Sequence, residues 1–342
     1  MKISIIMPAY NAGEYIGEAI ESILAQTYPD WELVIVDDCS TDSTYGTILS
    51  AAKTDSRIKV FRMPVNSGRC LEPRLRAIRE ASHDYICCID ADDIVEPDYL
   101  TKIARRVDET GADIVFTINY AFGGDLGDRV ERYASDESFD ISRIYTGKEL
   151  MPLSIGEWEF AAGGGCWNKE LYMRCAATYR FDCANAFADE ALARAIIFEA
   201  RKIAFCDASY FYRMNDASVT HSVSVKQFSF INANRWIREF AERNYQDRPD
   251  VIDKARISEF HGLFDGLRLL RTLSPSLDRR DTSDIMRQLS LTHSQIDFAG
   301  VHGKVSPRLW AIGRLPFRMS AFTLGLYDLI RKALINTSGS RK

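Results

Sequence analysis

Several things are missing from this 342-residue sequence, and each absence removes a class of protein. No run of about 18 apolar residues occurs, so no transmembrane helix is expected. The first residues hold no basic stretch, long apolar run and small-residue cleavage site, so no secretory leader is expected either. The eight cysteines form no C-x-x-C pair and no dense short framework. That argues against a zinc knuckle or a disulfide scaffold and favours a reducing, cytoplasmic setting. Cys87 and Cys88 sit in an apolar run and read as small buried hydrophobes. A glycine- and lysine-rich phosphate loop is absent after the first apolar run, which ends in Pro8-Ala9-Tyr10-Asn11. A large excess of positive charge is absent too: the net charge is −5, so a nucleic-acid partner is not expected.

What is present is an ordinary globular composition, 46% hydrophobic and 27% charged, long enough for two domains at roughly 150 residues each. Short β-branched runs alternate with segments of helical periodicity. Strands are expected at Ile3–Met7, Glu32–Val36, Ile58–Arg62, Tyr85–Ile89 and Asp113–Asn119. Helices are expected at Gly13–Gln26, Asp42–Lys53, Gly68–Ser82 and Pro97–Thr110. This alternation implies an α/β fold, a mostly parallel sheet with helices on both faces. The pattern weakens from about 120 to 165, where glycines punctuate loops. A helix at Phe187–Ala200 and short strands at Lys202–Cys206 and Tyr210–Met214 follow, and helices alone are expected from about 224. The expected organisation is a domain over 1–222, in halves 1–119 and 120–222, then a helical region over 223–342.

Ligands of parallel sheets bind at the carboxyl ends of the strands. Here those ends read Pro8-Ala9-Tyr10-Asn11, Asp37-Asp38-Cys39-Ser40, Asn66-Ser67-Gly68-Arg69 and Asp90-Ala91-Asp92-Asp93. Polar and acidic residues therefore gather on one edge. Two carboxylates as close as Asp90 and Asp92 repel unless a cation or hydrogen bonds offset them. A Mg2+ or Mn2+ ion taking one or two carboxylates plus substrate phosphates would do so. Capping of the helix at Pro97 is the alternative for Asp92 and Asp93, and turn chemistry with Ser40 the alternative for Asp37-Asp38.

Taken together, Ile5-Ile6-Met7-Pro8-Ala9-Tyr10-Asn11, Ser22-Ile23-Leu24-Ala25-Gln26-Thr27-Tyr28, Glu32 through Asp42 and Asp90-Ala91-Asp92-Asp93 resemble family 2 of the glycosyltransferases, inverting enzymes of GT-A fold. The resemblance is collinear over 1–115 and continues more weakly through Trp167-Asn168-Lys169, Asp189 and Tyr212-Arg213 to His221-Ser222. It implies that Pro8, Ala9, Tyr10 and Asn11 line the base and ribose, and that Asp38, with Asp37, faces the uracil. It also implies that Asp90, beside Ala91, contacts the ribose or sugar, and that Asp92 binds the metal, with His221 joining it or a phosphate. Asn66 and Gly68 match the segment after the third strand. Arg74 stands one position later than the family's arginine, where it would reach a diphosphate oxygen or lie on a solvated helix. The resemblance makes Asp189 the general base, with Glu190 second because Ala188 replaces the usual preceding acid. Trp167, with glycines before it, would offer a ring face to the acceptor beside Asn168 and Lys169, or would simply be buried.

The implied activity is metal-assisted transfer from a UDP-sugar to a hydroxyl of a saccharide or lipid-linked saccharide, in surface polysaccharide or glycolipid assembly. A polyprenyl-phosphate sugar synthase or a non-catalytic nucleotide-binding subunit are the alternatives. Residues 303–342 differ in character. They carry eight Lys/Arg and one acid, a net +7 against −12 for the rest, amid many apolar residues. Such a segment either lies on an anionic membrane, on its cytoplasmic face, or packs on the body with a solvated basic face.

Overall fold

The computed structural model describes residues 1–123, 130–131, 140–156, 164–179, 181, 187–214 and 225–339. Two compact units are present, Met1–Ser218 and Val219–Lys342. In the first, the expected alternation is seen. The elements are β1 (Ile3–Ala9), α1 (Ile16–Leu24), β2 (Trp31–Asp37), α2 (Thr44–Thr54), β3 (Ile58–Arg62), α3 (Leu71–Glu80), β4 (Tyr85–Cys88), the two-residue β5 (Ile94–Val95), α4 (Tyr99–Thr110) and β6 (Ile114–Phe122). Then come β7 (Val130–Glu131), α5 (Gly147–Ser154), β8 (Gly165–Asn168), α6 (Lys169–Thr178), α7 (Ala188–Glu199) and β9 (Ile203–Arg213).

Among the described residues these make a nine-stranded sheet in the order β3-β2-β1-β4-β8-β6-β9-β5, with β7 paired to β6. Strands β1 to β4 run parallel to one another, as do β6 and β9. Strand β8 is antiparallel to both of its neighbours, and β5 is antiparallel to β9. Strand β2 is buried at every position and β1 at all but one, as expected of strands covered on both faces. Helix α1 covers them with Ile16, Ala19, Ile20 and Ile23, which fall on one face at helical spacing. Gln26 pins its end to the start of α4: its amide donates to the Glu96 carbonyl at 2.7 Å and accepts from the Leu100 N–H at 3.0 Å.

Three local expectations change. The weak 120–165 stretch ends in a strand, β8, inserted between β4 and β6, so the sheet is mixed in its middle. The two short strands expected at Lys202–Cys206 and Tyr210–Met214 are one eleven-residue strand, β9, whose register against β6 shifts between Phe116 and Ile118. The helix expected from Gly68 begins only at Leu71, because the residues before it are held by Asp38.

The second unit contains a 3-10 turn at Val225–Ser229, then α8 (Phe230–Asn244), α9 (Pro249–Leu273), α10 (Arg279–Gln295), α11 (Pro307–Gly313) and α12 (Phe317–Gly339). Its core gathers Phe228, Ile231, Phe260, Leu263, Phe264, Leu267, Ile285, Leu289 and Leu324. Buried Glu259 accepts from Arg238 at 2.8 Å, which pairs a charge the helix bundle could not otherwise bury.

Candidate active site

The carboxyl ends of β1, β2, β3 and β4 lie side by side, and their loops are cross-linked by their own polar residues. Asn11 takes a left-handed backbone (φ 47°). Its N–H donates to the Ser40 hydroxyl at 3.0 Å, and its side-chain oxygen accepts from the Thr41 N–H at 2.9 Å. Cys39 (φ 64°) turns the β2 loop toward that contact. Together with Phe187 (φ 73°) these are the non-glycine residues of positive φ among those described. Each precedes or lies beside a predicted site residue, where local strain is held by surrounding structure. Pro8 and Ala9 close β1, Ala9 buried, and Tyr10 stands half exposed beyond them.

The acidic pair after β2 divides its work. Asp37 is fully buried; its carboxylate accepts from the Ser40 N–H and pairs with Arg62 at 2.9 Å. It holds the turn, so the expectation that Asp37 faces the nucleotide is corrected: its oxygens serve the fold. Asp38 accepts from the Ser67 N–H (3.0 Å), the Ser67 hydroxyl (2.8 Å) and the Asn66 amide (3.2 Å). Gly68 (φ 70°) closes this loop, donating its N–H to the Asn66 side chain at 2.9 Å. A carboxylate has about four acceptor directions, so Asp38 keeps little more than one for a ligand.

Arg74, on α3, is buried, and it bridges two carboxylates far apart in sequence. Its guanidinium lies 3.1 Å from Asp90 and 3.1 Å from Asp189. Burial opposes the charge, but Asp90, Cys70 and Asp189 outweigh it and hold the guanidinium's pKa well above its ordinary value. The alternative of a solvated helix arginine is excluded. Asp189 lies in the first turn of α7, where a helix N-terminus favours an anion, and its side chain keeps about a fifth of its surface exposed. Glu190, the second choice of base, is buried and ion-paired with Arg194 at 3.2 Å. It belongs to the core and is corrected out of the site.

The turn after β4 is clamped from β9. Asp90 N–H donates to the Tyr210 hydroxyl (3.2 Å), which donates to buried Asp93 at 2.5 Å. Arg213 donates its N–H to Asp93 (2.8 Å) and its side chain to the Asp92 carbonyl (2.9 Å). Burial, then the neighbouring Asp92 and Asp90, push the Asp93 carboxyl well above the usual carboxylate range. Tyr210 and Arg213 are the site residues that carried no role in the sequence reading, although Arg213 ends a strand parallel to its neighbour. Asp90 remains about a third exposed and Asp92 partly exposed at the sheet edge, with Ala91 buried between them.

The oxygen-only donors here suit a hard cation that takes most of its ligands from a diphosphate, with Asp92 as the protein ligand. Among the described residues no group of three His, Cys, Asp or Glu could hold a metal ion. His221 lies outside the described residues.

The acceptor-side residues are corrected most. Trp167 is wholly buried, edge-on to Phe116 and to Tyr172, so neither ring face is open to a sugar. Because β8 runs antiparallel to β4, Asn168 pairs with Tyr85, at the amino end of β4 and away from Asp90. There Asn168 caps α6 through the Leu171 N–H, and Lys169 donates to the Ala81 carbonyl. Gly164 (φ 75°) leaves room for Asn119, whose side-chain oxygen would lie 2.2 Å from an added Cβ.

A sheet of this order, with an acidic turn at its carboxyl edge and a carboxylate facing it from a helix N-terminus, defines a nucleotide-sugar transferase type of site. The family model described as glycosyl transferase family 2 matches residues 4–172. The glycosyltransferase GlyG of Streptococcus pneumoniae is 31% identical over 225 residues, covering 64% of this chain and 72% of GlyG. The putative teichuronic acid biosynthesis glycosyltransferase TuaG of Bacillus subtilis is 38% identical over 34% of this chain and 45% of TuaG. The poly(ribitol-phosphate) beta-N-acetylglucosaminyltransferase TarS of Staphylococcus aureus is 35% identical over 34% of this chain, but only a fifth of TarS is spanned. The crystal structure of TarS 1-349 in complex with UDP-GlcNAc superimposes with TM-score 0.70 at 17% identity, covering 97% of this chain and 92% of that one. The chain belongs to family 2 of the glycosyltransferases and has the GT-A fold with C-terminal helices. Among the described residues no helix is long and apolar enough to cross a membrane.

Proposed function

We propose that this protein is an inverting, metal-assisted glycosyltransferase that moves a sugar from a UDP-sugar to a hydroxyl of a saccharide or lipid-linked saccharide, on the cytoplasmic side of the membrane. One observation carries the reading. Asp189 stands across a single guanidinium, Arg74, from Asp90, so a carboxylate suited to a base lies one side chain away from the donor turn. The uridine donor is supported by TarS, a protein of the same fold whose structure includes UDP-GlcNAc. A surface-polymer acceptor is supported by the resemblance to TarS, a poly(ribitol-phosphate) beta-N-acetylglucosaminyltransferase, and to TuaG, a putative teichuronic acid biosynthesis glycosyltransferase.

In this reading the base rests on Tyr10 and Asn11, and Asp38 uses its remaining acceptor direction for the uracil N–H. Cytosine presents an acceptor there and would leave a buried oxygen unpaired, at a cost of ~1–3 kcal/mol. Asp90 orients the ribose or the sugar. Asp92 would hold the Mg2+ or Mn2+ ion, which supplies positive charge to the departing diphosphate. Asp189 takes the acceptor hydroxyl's proton as that oxygen attacks the anomeric carbon. The carbon–oxygen bond to the diphosphate breaks, and its electron pair leaves with UDP.

The test pairs a thermal-shift screen of UDP-, GDP- and dTDP-sugars in Mn2+ with turnover of the Asp189→Asn variant. UDP-sugars should stabilise both proteins, and the variant's turnover should fall by ~10²-fold or more. Stabilisation by GDP-sugars alone would overturn the uridine donor, and near-normal turnover would remove Asp189 as the base.

A further inference from the structure

Helix α12 breaks the usual rule for a helix on a protein surface. Its inner face is conventional: Ser320 and Leu324 are wholly buried, and Leu324 joins the core of the helical unit. Its outer face should be polar. Instead Met319, Phe322, Leu326, Leu329 and Ile330 stand there, at spacings of three, four, three and one, which align on one side of an α-helix. Phe322 is 75% exposed and Leu329 68%. The stripe runs about 16 Å along the helix, at 1.5 Å per residue.

The segment that carries this stripe is rich in exposed cations. Arg308, Arg314, Arg318, Arg331 and Lys332 are exposed, and none is ion-paired with a carboxylate of the described residues. The segment's single acid, Asp328, points the other way. It is paired with Arg268 at 3.2 Å and Arg271 at 3.3 Å, both on α9. Those two arginines neutralise the one group that would repel an anionic surface. Apolar side chains in a stripe about three turns long, with the cations Arg318 and Lys332 on its side of the helix, match the chemistry of the boundary between anionic headgroups and acyl chains.

We propose that α12 lies on an anionic lipid bilayer, with Met319, Phe322, Leu326, Leu329 and Ile330 dipped into the acyl boundary and Arg318 and Lys332 reaching lipid phosphates. This rests on the helical unit alone and is independent of the donor-site reading. A protein partner for the same stripe would need a complementary apolar face with acidic flanks. A bilayer supplies both without any such match, and a second copy of this basic face would add like charge.

The experiment is flotation of the full chain with vesicles of phosphatidylcholine alone or with 30% phosphatidylglycerol. It uses the wild type, the triple variant Phe322→Ser/Leu326→Ser/Leu329→Ser and the charge variant Arg318→Glu/Lys332→Glu. All five positions are exposed, so both variants should keep the wild-type melting temperature. The wild type should float with the anionic vesicles and not with neutral ones. Each removed cation should weaken partitioning roughly fivefold, and the serine variant should lose it at least tenfold. Equal flotation of all three proteins, or no flotation of the wild type, would overturn the proposal. So would light scattering that shows a wild-type dimer in solution converted to monomer by the serine variant.

Discussion

Replacing Arg74 by methionine removes a buried cation from between two carboxylates while keeping an unbranched chain of similar reach. Opposite charges about 4 Å apart attract by roughly 4 kcal/mol at the effective dielectric of sites near a surface. Arg74 makes two such contacts, at 3.1 Å each between heavy atoms. Desolvation of the guanidinium takes back much of that gain, and breaking a buried pair from one side usually costs ~3–5 kcal/mol. Asp90 keeps about a third of its side-chain surface and Asp189 a fifth, so water recovers part of the loss. The expected cost is therefore about 3 kcal/mol. For a unit of this size that lowers the melting temperature by roughly 6–12 °C. Arg74→Lys should fall between the two, because an ammonium is a point charge that cannot span both partners. The assay is thermal or urea unfolding of the wild type, Arg74→Met, Asp189→Asn and the double variant. With Arg74 gone, Asp189→Asn should no longer cost stability, giving a coupling of at least ~1 kcal/mol. Melting of Arg74→Met within about 1 °C of wild type, or an additive cycle, would refute the bridge.

Two other outcomes follow from the site and its scaffold. Burial raises the Asp93 pKa above its unfolded value, so the native state keeps a proton that the unfolded chain releases above about pH 4. That contribution is full below pH 4 and is lost as pH rises toward the folded pKa. Asp93→Asn should therefore cost more stability at pH 5 than at pH 8, and parallel pH dependences in urea titrations would count against a proton on Asp93. Gly147 opens α5 against α7: an added Cβ would sit 1.9 Å from the Ile197 carbonyl oxygen and 2.7 Å from that of Ala200. Gly147→Ala should destabilise by ~1–3 kcal/mol through backbone displacement, and an unchanged unfolding midpoint would show that the α5–α7 contact yields freely.

Much of the catalytic unit was legible because its signals are local. The apolar runs of β1 and β2 need no partner to be recognised as buried strands, and the 3.6-residue spacing of Ile16, Ala19, Ile20 and Ile23 is visible in any order of packing. The turn Asp90-Ala91-Asp92 announced itself through its position at a strand end. The acceptor side was not legible. Four residues of β8 carry too little periodicity to show strand direction, and direction decides whether Asn168 meets Asp90 or lies at the other edge. A tryptophan beside glycines looks the same whether a sugar or Phe116 covers its ring.

The sequence by itself determined the family, the alternating α/β order and the acidic edge, because each is written in neighbouring residues. Only the tertiary structure decided which partner each acid meets. Asp37 and Asp38 are adjacent and chemically identical, yet one is held by Arg62 and the other by the Asn66–Ser67 loop. Asp189 and Glu190 are likewise neighbours, and the helical turn of about 100° per residue sends one to Arg74 and the other to Arg194 in the core. A carboxylate's role depends on what lies within about 4 Å of it. For Asp37, Asp189 and Glu190 the deciding partner is an arginine, and for Asp37 and Asp189 it comes from a distant part of the chain.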